Sequence, residues 1–335
     1  MMKLLRYLLF PIVPVYYLVT WLRNKLYDWG IKKSTAYDFP VICVGNLSVG
    51  GTGKTPMIEY LIRLLKTDHH LATLSRGYKR QTKGFVLADK NATVLTIGDE
   101  PFQFHQKFED VIVSVDGDRV HGISQLMALK NPPEVVLLDD AFQHRKVKAG
   151  FYIMLTSYDD LYTDDILLPT GNLREPRQGA KRANIIVVTK CPENISEETK
   201  QKIKGEIDAL EHQEVFFASI AYSNSIRNTK DHLDLNTLKN RSFTLVTGIA
   251  NPKPLVAHLT ALGLDFEHLK YKDHHDFNES DLSNLKQKQL IVTTEKDMMR
   301  LQSHFSDREA IYYLPIEMKI DRQLQFDKLV GSFVK

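Results

Sequence analysis

The clearest chemistry in the sequence belongs to eight consecutive residues: Ser48, Val49, Gly50, Gly51, Thr52, Gly53, Lys54 and Thr55. Small residues allow successive backbone N–H groups to turn inward onto phosphate oxygens. The lysine reaches the β and γ phosphates of a nucleotide, and the following threonine offers its hydroxyl to Mg²⁺. The strict pattern G-x-x-x-x-G-K-[ST] has glycine where this chain has Ser48. The run still predicts a loop that binds ATP and Mg²⁺.

Two acidic residues, Asp139 and Asp140, close an apolar run that starts at Val135. Such a run predicts a buried strand, and its carboxylates would emerge at the carboxyl end of the sheet, where metal and ligands bind. Capping of the next turn by one aspartate is the alternative. We expect at least one of the two to contact the metal. His144 follows shortly and would lie at the same edge.

Three more polar groups end predicted strands or begin turns. They contain Arg76 and Tyr78, then Asp99, then Arg174 and Glu175. Any one of them could be a surface ion pair or a helix cap. Their recurrence around one phosphate loop favours a site, in which Asp99 could accept a proton from an attacking hydroxyl.

A histidine pair, His274 and His275, lies late in the chain between Asp273 and Asp276. Adjacent side chains point in different directions, which makes a metal site built from both histidines a weak alternative. A histidine oriented by a carboxylate for proton transfer is the better interpretation. A solvated loop remains open.

The elements that must position these residues follow an alternating pattern. A β-rich run at 41–47 precedes the loop, and the helical spacing of Ile58, Leu61, Ile62 and Leu65 follows it. Further apolar strands alternate with helices, which predicts a parallel sheet covered on both faces. We therefore predict an α/β fold of the P-loop NTPase type. A second group of strands starts at 215, and the polar stretch 223–241 is interpreted as a hinge region. Together they indicate a smaller C-terminal α/β lobe.

The N-terminus differs in composition from the rest, because residues 7–22 contain no charge. A signal peptide would need small residues at a cleavage site, which are absent. A spanning helix needs about 20 apolar residues, and this shorter run contains Pro11 and Pro14. We favour a membrane-associated helix at a lipid surface over an apolar arm packed on the protein itself. The predicted domains are thus 1–30, a kinase core at 31–222 and a lobe at 223–335.

Composition narrows the function classes. The chain has 335 residues, 43% of them hydrophobic, which suffices for a large core. A formal net charge of only +3 argues against a nucleic-acid partner. The two cysteines form no C-x-x-C pair, and Cys43 in its apolar run is interpreted as a small buried hydrophobe.

Ordered motifs then give a family resemblance, which runs from the apolar N-terminus to about Leu301. The motifs are, in order, GNLSVGGTGKTP, SRGY, GDEP, DDAFQHR, LPTGNLREP, TGIANP, DHHDF and TTEKD. Together they resemble the tetraacyldisaccharide 4'-kinases, the lipid A 4'-kinases of Gram-negative bacteria. So many motifs in one order are specific, whereas the phosphate loop alone would not be.

The resemblance implies transfer of the γ-phosphate of ATP to the 4'-hydroxyl of a tetraacyldisaccharide 1-phosphate, a lipid A precursor. It implies a protein, expected to be monomeric, at the cytoplasmic face of the bacterial inner membrane. The catalytic base would be Asp99, with His274 as its partner and Lys54 on the phosphates. The metal candidates would be Thr55, Asp139, Asp140 and Glu175. The residues near the transferred phosphate or the sugar would be Arg76, Tyr78, His144 and Arg174.

Two other functions stay open from the residues alone. A membrane-bound nucleotide switch would hydrolyse nucleotide slowly, and Thr189-Lys190 faintly resembles a guanine-reading motif. Pro192 stands where that motif needs aspartate, so guanine specificity is unsupported. A kinase of a soluble small molecule would need no membrane segment.

Overall fold

The computed structural model describes residues 6–228, 230–305 and 311–335. Strands in this part of the chain are β1 Val41–Asn46, β2 Leu71–Ser75, β3 Val86–Leu87, β4 Ile112–Val115, β5 Val135–Asp139, β6 Phe151–Ser157, β7 Ile185–Thr189, β8 Glu214–Tyr222, β9 Ser225–Arg227, β10 His232–Asp234, β11 Phe243–Thr247, β12 Phe266–Lys270, β13 Ile291–Thr294, β14 Ile311–Leu314 and β15 Ile316–Ile320. They form two sheets.

Helices alternate with these strands. In chain order they are α1 Val13–Asp28, α2 Lys54–Leu65, α3 Val94–Ile97, α4 Asp99–Lys107, α5 Arg119–Met127, α6 Glu197–Ile207, α7 Lys253–Ala261, α8 Glu279–Lys286, α9 Glu295–Leu301 and α10 Gln323–Val334. Short 3₁₀ turns cover Phe10–Ile12, Arg177–Arg182, Leu235–Asn240 and Gln302–His304. The alternation confirms the α/β fold predicted from the sequence.

The larger sheet has the strand order β15-β8-β7-β6-β1-β5-β2-β4-β3. The strands from β8 to β4 are all parallel, and only the edge strands β15 and β3 run antiparallel to their neighbours. The phosphate-binding strand β1 is therefore central, between β5 and β6. Because all these parallel strands end at one edge, their C-terminal residues gather there.

Both faces of this sheet are buried, as its uninterrupted apolar strands predict. Alternate residues of β1 enter different cores, with Ile42 and Val44 on one side and Val41 and Cys43 on the other. Helix α2 covers the first side with the four residues whose spacing predicted it, all of them buried. The prediction that Cys43 is a buried hydrophobe is confirmed.

The smaller sheet has the order β10-β9-β14-β13-β11-β12, with a parallel centre formed by β14, β13, β11 and β12. The division into domains at residues 222 and 223 stays a prediction. The predicted division does not include one feature of the sheets. Strand β15 pairs with β8, so the chain returns to the larger sheet after β14. Pro315 separates the two strands, where the sequence suggested a single strand at 310–318. Helix α10 follows, and its Phe326 packs against Tyr60 of α2.

The N-terminal helix α1 exposes an apolar face to solvent, while its other face contacts the rest of the protein. Val15, Leu18, Val19 and Leu22 are exposed, together with the preceding Tyr7 to Phe10 and Ile12. On its inner face, Tyr16 donates a hydrogen bond to the carbonyl of Arg174 and Arg23 donates to that of Gln143. No helix of the described residues is long and apolar enough to cross a membrane.

Candidate active site

The phosphate loop connects β1 to helix α2 in a fixed conformation. Gly50 and Gly53 adopt φ angles of 115° and 85°, which side chains disfavour and which explain glycine at both positions. Asn46 donates to the hydroxyl of Thr52 over 2.8 Å, and Thr189 donates to the Thr52 carbonyl, also over 2.8 Å. No side chain caps the helix at Gly53, so the first N–H groups of α2 are available to an anion.

Two cations converge on Asp140 directly behind the loop. Lys54 Nζ lies 3.7 Å from its Oδ1, and Arg174 binds both carboxylate oxygens, over 2.8 and 3.2 Å. Arg174 also donates to the carbonyl of Asn46 at the end of β1. Burial alone would raise the pKa of Asp140, but the charges of Lys54 and Arg174 hold it below its usual range. Asp140 is thus an anion that pairs with Lys54 and Arg174.

Asp139 lies deeper and is incompletely paired. Its Oδ2 accepts a 3.3 Å hydrogen bond from Ser75, while its buried Oδ1 has no hydrogen-bond partner among the described residues. Burial raises its pKa to about 7, and the charges of Asp140 and Glu100 act in the same direction. A buried carboxylate with an unoccupied oxygen beside a phosphate loop suits a divalent cation, which would supply the missing charge.

Glu175 has a different environment from the two aspartates. Its carboxylate is nearly inaccessible and accepts hydrogen bonds from Asn24 (2.7 Å), Gln143 (2.9 Å) and Arg182 (2.7 Å). Three donors leave little capacity for a metal. Moreover, no group of three or more His, Cys, Asp or Glu side chains is arranged around a common point within residues 6–228, 230–305 and 311–335. Direct metal contact by Glu175 stays a prediction, which its hydrogen-bond partners do not favour.

Asp99 and His274 meet although 175 residues separate them. Asp99 begins helix α4 beside the larger sheet, and His274 lies in the loop after β12 of the smaller sheet. Their atoms Oδ2 and Nδ1 are 3.1 Å apart. Burial opposes ionisation of Asp99, but the hydrogen bond with His274 and the charge of Arg300 hold its pKa below the usual range. Asp99 is therefore ionised at neutral pH.

The other expected residues lie around this arrangement with fewer contacts. The Tyr78 ring packs edge-on against the His274 ring, with a centroid distance of 5.8 Å, and Arg76 is exposed nearby in sequence. His144 is half-buried, with Nε2 3.9 Å from Asp118. Burial, aided by the charge of Arg119, lowers the pKa of His144 to about 4. His144 is therefore neutral at physiological pH.

Several contacts of the site were not predicted from the sequence, in which Thr189 and Lys190 stood out only as a faint guanine-reading motif. Asn46 and Thr189 hold the loop, Lys190 donates to the carbonyl of Gly51, and Arg119 donates to the carbonyl of Asp139. Asn46 follows the last buried apolar residue of β1, a position that could have signalled it. Arg119, at the start of a helix, carries no comparable signal.

Comparisons with known proteins add to this geometry. The sequence model of the family described as Tetraacyldisaccharide-1-P 4'-kinase matches residues 5–335. A tetraacyldisaccharide 4'-kinase of Flavobacterium johnsoniae is 52% identical over 338 residues, covering 100% of this chain and 98% of the relative. One from Bacteroides thetaiotaomicron is 45% identical over 352 residues, covering 98% of this chain and 93% of the relative.

A solved structure is similar over the same extent. The crystal structure of LpxK from Aquifex aeolicus in complex with ATP superimposes with a TM-score of 0.80 at 30% sequence identity. The similarity covers 99% of this chain and 100% of that one. The predicted P-loop kinase fold is confirmed by this likeness.

Proposed function

This chain belongs to the tetraacyldisaccharide-1-P 4'-kinase family, and we propose that it transfers the γ-phosphate of ATP to the 4'-hydroxyl of a tetraacyldisaccharide 1-phosphate. The observation that carries the proposal is the 3.1 Å contact between Asp99 and His274 in a protein that also has a phosphate loop. A sugar hydroxyl loses a proton as it attacks, and a carboxylate held by a histidine is suited to accept that proton.

The phosphate end of the reaction uses groups that are already ordered. The N-terminus of α2 and Lys54 would bind the phosphates of ATP, and Asp140 with Arg174 keeps the lysine in place. Phosphoryl transfer depends mainly on positioning and on neutralising charge that spreads over phosphate oxygens. Arg174 and Arg76 are the cations we propose for the transferred group or the sugar headgroup.

The residues fit a Mg²⁺ ion beside this loop. Thr55 would offer its hydroxyl, and Asp139 or Asp140 a carboxylate, with Asp139 favoured by its unpaired buried Oδ1. Bound there, the ion would neutralise phosphate charge during transfer. Glu175 would then support the neighbouring residues Gln143 and Arg182 rather than the ion itself.

Asp99 is the proposed base. A sugar hydroxyl is a weak acid, so a carboxylate within hydrogen-bond reach lowers the cost of its attack. His274 holds Asp99 from the opposite sheet, which means that the base and its partner come together only when the two lobes approach. Such closure would also exclude water, the competing acceptor.

The N-terminal helix is the proposed membrane contact. Its exposed apolar face, formed by Val15, Leu18, Val19 and Leu22, continues into the exposed residues 7–10. Apolar surface of this extent costs free energy in water and gains it at the acyl boundary of a bilayer. We therefore propose that this face binds a lipid surface. The family resemblance is the basis for proposing a monomer at the inner membrane, with its active site in the cytoplasm, where ATP is available.

The test measures phosphate transfer from ATP to detergent-dispersed tetraacyldisaccharide 1-phosphate. Asp99→Asn should lower kcat by roughly 10²–10⁴-fold, the usual contribution of a base, and His274→Gln should lower it less. Wild-type activity in both variants would contradict the assigned base and partner. ATP hydrolysis at the same rate with and without the lipid would favour the nucleotide switch. Phosphate transfer to a soluble sugar but not to the lipid would favour the kinase of a soluble small molecule.

A further inference from the structure

Lys296 lies against the face of His274 that is remote from Asp99. Its Nζ is 3.0 Å from His274 Nε2 and 3.0 Å from Glu100 Oε1. It is the second residue of α9, a helix that begins at the end of β13 in the smaller sheet. The site chemistry described so far does not require a lysine at this position.

The chemistry of the two groups assigns the hydrogen atoms. A lysine ammonium has three donors and no acceptor, so His274 Nε2 must accept in this contact. A neutral imidazole carries its single hydrogen on the other nitrogen, which is Nδ1. That hydrogen then points to Asp99 Oδ2, 3.1 Å away. Both hydrogen bonds are satisfied by one tautomer only.

We propose that Lys296 is a positioning residue that fixes His274 as the neutral Nδ1–H tautomer and thereby orients Asp99. The inference rests on the proposed base role of Asp99. In the other tautomer, a lone pair on Nδ1 would face the Asp99 carboxylate, and the hydrogen on Nε2 would face the ammonium. Both contacts would be repulsive, and Asp99 would lose a donor.

The same contact does not fit a doubly protonated imidazole. Such a ring would carry a hydrogen on Nε2 as well, and that hydrogen would point at the Lys296 ammonium instead of Nε2 accepting from it. The charged and titratable groups that face His274 come from three elements. They are Tyr78 from the turn after β2, Asp99 and Glu100 from α4, and Lys296 and Arg300 from α9.

The backbone of His274 is held by a contact of its own. His274 has a φ of 53°, in the left-handed region, and its backbone N–H donates to the Gly248 carbonyl over 3.1 Å. Glu100 is adjacent to Asp99 in the first turn of α4. Lys296 therefore connects the residue next to the base with the partner of the base, across the two sheets.

The direct test is the tautomer of His274, read from long-range ¹H–¹⁵N spectra of histidine-labelled protein and assigned with His274→Gln. The full-length wild-type protein at neutral pH should show protonated Nδ1 and unprotonated Nε2. Lys296→Arg keeps a cationic donor and should keep this pattern. Lys296→Met should give a mixture of forms, and the exposed Lys286→Met is the matched control.

Kinetics provide a second readout. Lys296→Met should lower kcat by roughly 10-fold, as expected for a partner that orients a catalytic group, with the KM for ATP unchanged. The pH profile of kcat/KM should also differ from that of the wild type, because the contact that fixes the form of His274 is lost. Lys296→Arg should restore most of the rate and the wild-type pH profile.

The outcomes separate this inference from the proposed function. An Nε2–H or doubly protonated His274 in the wild type at neutral pH would overturn it without any variant. A wild-type tautomer and pH profile in Lys296→Met would also overturn it, even if Asp99→Asn is inactive. Full activity of Asp99→Asn would instead contradict the proposed role of Asp99 as the base. The tautomer measurement would still show whether Lys296 fixes the tautomer of His274.

Discussion

Asn24 in the N-terminal helix donates a 2.7 Å hydrogen bond to Oε2 of Glu175, a buried carboxylate behind the phosphate loop. The other oxygen of Glu175 accepts from Gln143 and Arg182. Gln143 in turn donates to the carbonyl of Asn46, at the end of β1. The helix with the exposed apolar face is therefore connected to the phosphate site through three hydrogen bonds.

Replacing this link should loosen the helix. Asn24→Ala leaves Oε2 of Glu175 buried without its donor, which should destabilise the protein by about 1–3 kcal/mol. We expect a lower Tm and faster proteolysis within residues 6–28, measured by thermal scans and limited digestion. Lys25→Ala, one position along and paired only loosely with Asp28, is the control. Equal Tm values for both variants would show that the Asn24 bond does not hold the helix.

The Arg174→Lys variant tests whether the planar shape of the Arg174 guanidinium matters in addition to its positive charge. The guanidinium binds both oxygens of Asp140 and the Asn46 carbonyl, whereas an ammonium cannot form that planar double contact. Loss of an orienting partner typically costs about 10–100-fold, so we expect such a fall in kcat/KM for ATP. Initial rates at several ATP and Mg²⁺ concentrations measure it.

Arg177→Lys is the matched control for this change. Arg177 is exposed and binds only the carbonyl of Asp165, so its replacement should leave the rate unchanged. If the Arg174→Lys enzyme is as active as this control, the proposed geometric role of the guanidinium is contradicted.

The exposed face of α1 should decide binding to lipid. Leu18 and Leu22 are 57% and 43% exposed, and changing both to Gln removes apolar area from that face. At about 1 kcal/mol for each leucine, partitioning into vesicles should weaken by roughly 30-fold. Flotation with vesicles of phosphatidylethanolamine and phosphatidylglycerol measures it.

Leu324→Gln serves as the control for the lipid experiment. Leu324 is 86% exposed but lies in α10, at the other end of the chain. This variant should bind vesicles like the wild type. Equal partitioning of the α1 variant would mean that this face does not contact lipid.

Glu295 should make stability depend on pH. It shares Lys107 with Glu59, whose Oε2 lies 2.6 Å from Nζ, and the three residues join helices α2, α4 and α9. Burial raises the pKa of Glu295 to about 7, and the charge of Glu59 adds to the effect. The folded protein thus keeps a proton that the unfolded chain has released above its ordinary pKa of 4.5.

Stability relative to Glu295→Gln should therefore fall as the pH rises from about 4.5 to about 7, by on the order of 3 kcal/mol. Paired Tm measurements between pH 5 and pH 8 test this, with the exposed Glu317→Gln as control. A Tm difference that stays constant over this range would contradict the raised pKa.

Much of the fold could be predicted because its signals are local. The glycines and Lys54 of the phosphate loop, the apolar face of α2 and the buried strands each depend on residues a few positions apart. The exception at the end of the chain is instructive. Positions 310–318 form one apolar run, yet Pro315 marks the point where the chain passes from the smaller sheet to the larger. Which sheet accepts a strand depends on partners elsewhere, and periodicity does not contain that information.

The candidate site also has a part that could be predicted from the sequence and a part that could not. The sequence alone determined the phosphate loop, the acidic end of β5 and, through ordered motifs, Asp99 and His274 as partners. The packed structure was needed to show that Lys296 contacts His274 and that Glu175 accepts hydrogen bonds from Asn24, Gln143 and Arg182. It was also needed to show that Asp139 Oδ1 has no hydrogen-bond partner among the described residues. The physical reason is that these contacts join elements far apart in the chain. Their hydrogen bonds and charges exist only once the two sheets and the N-terminal helix have packed together.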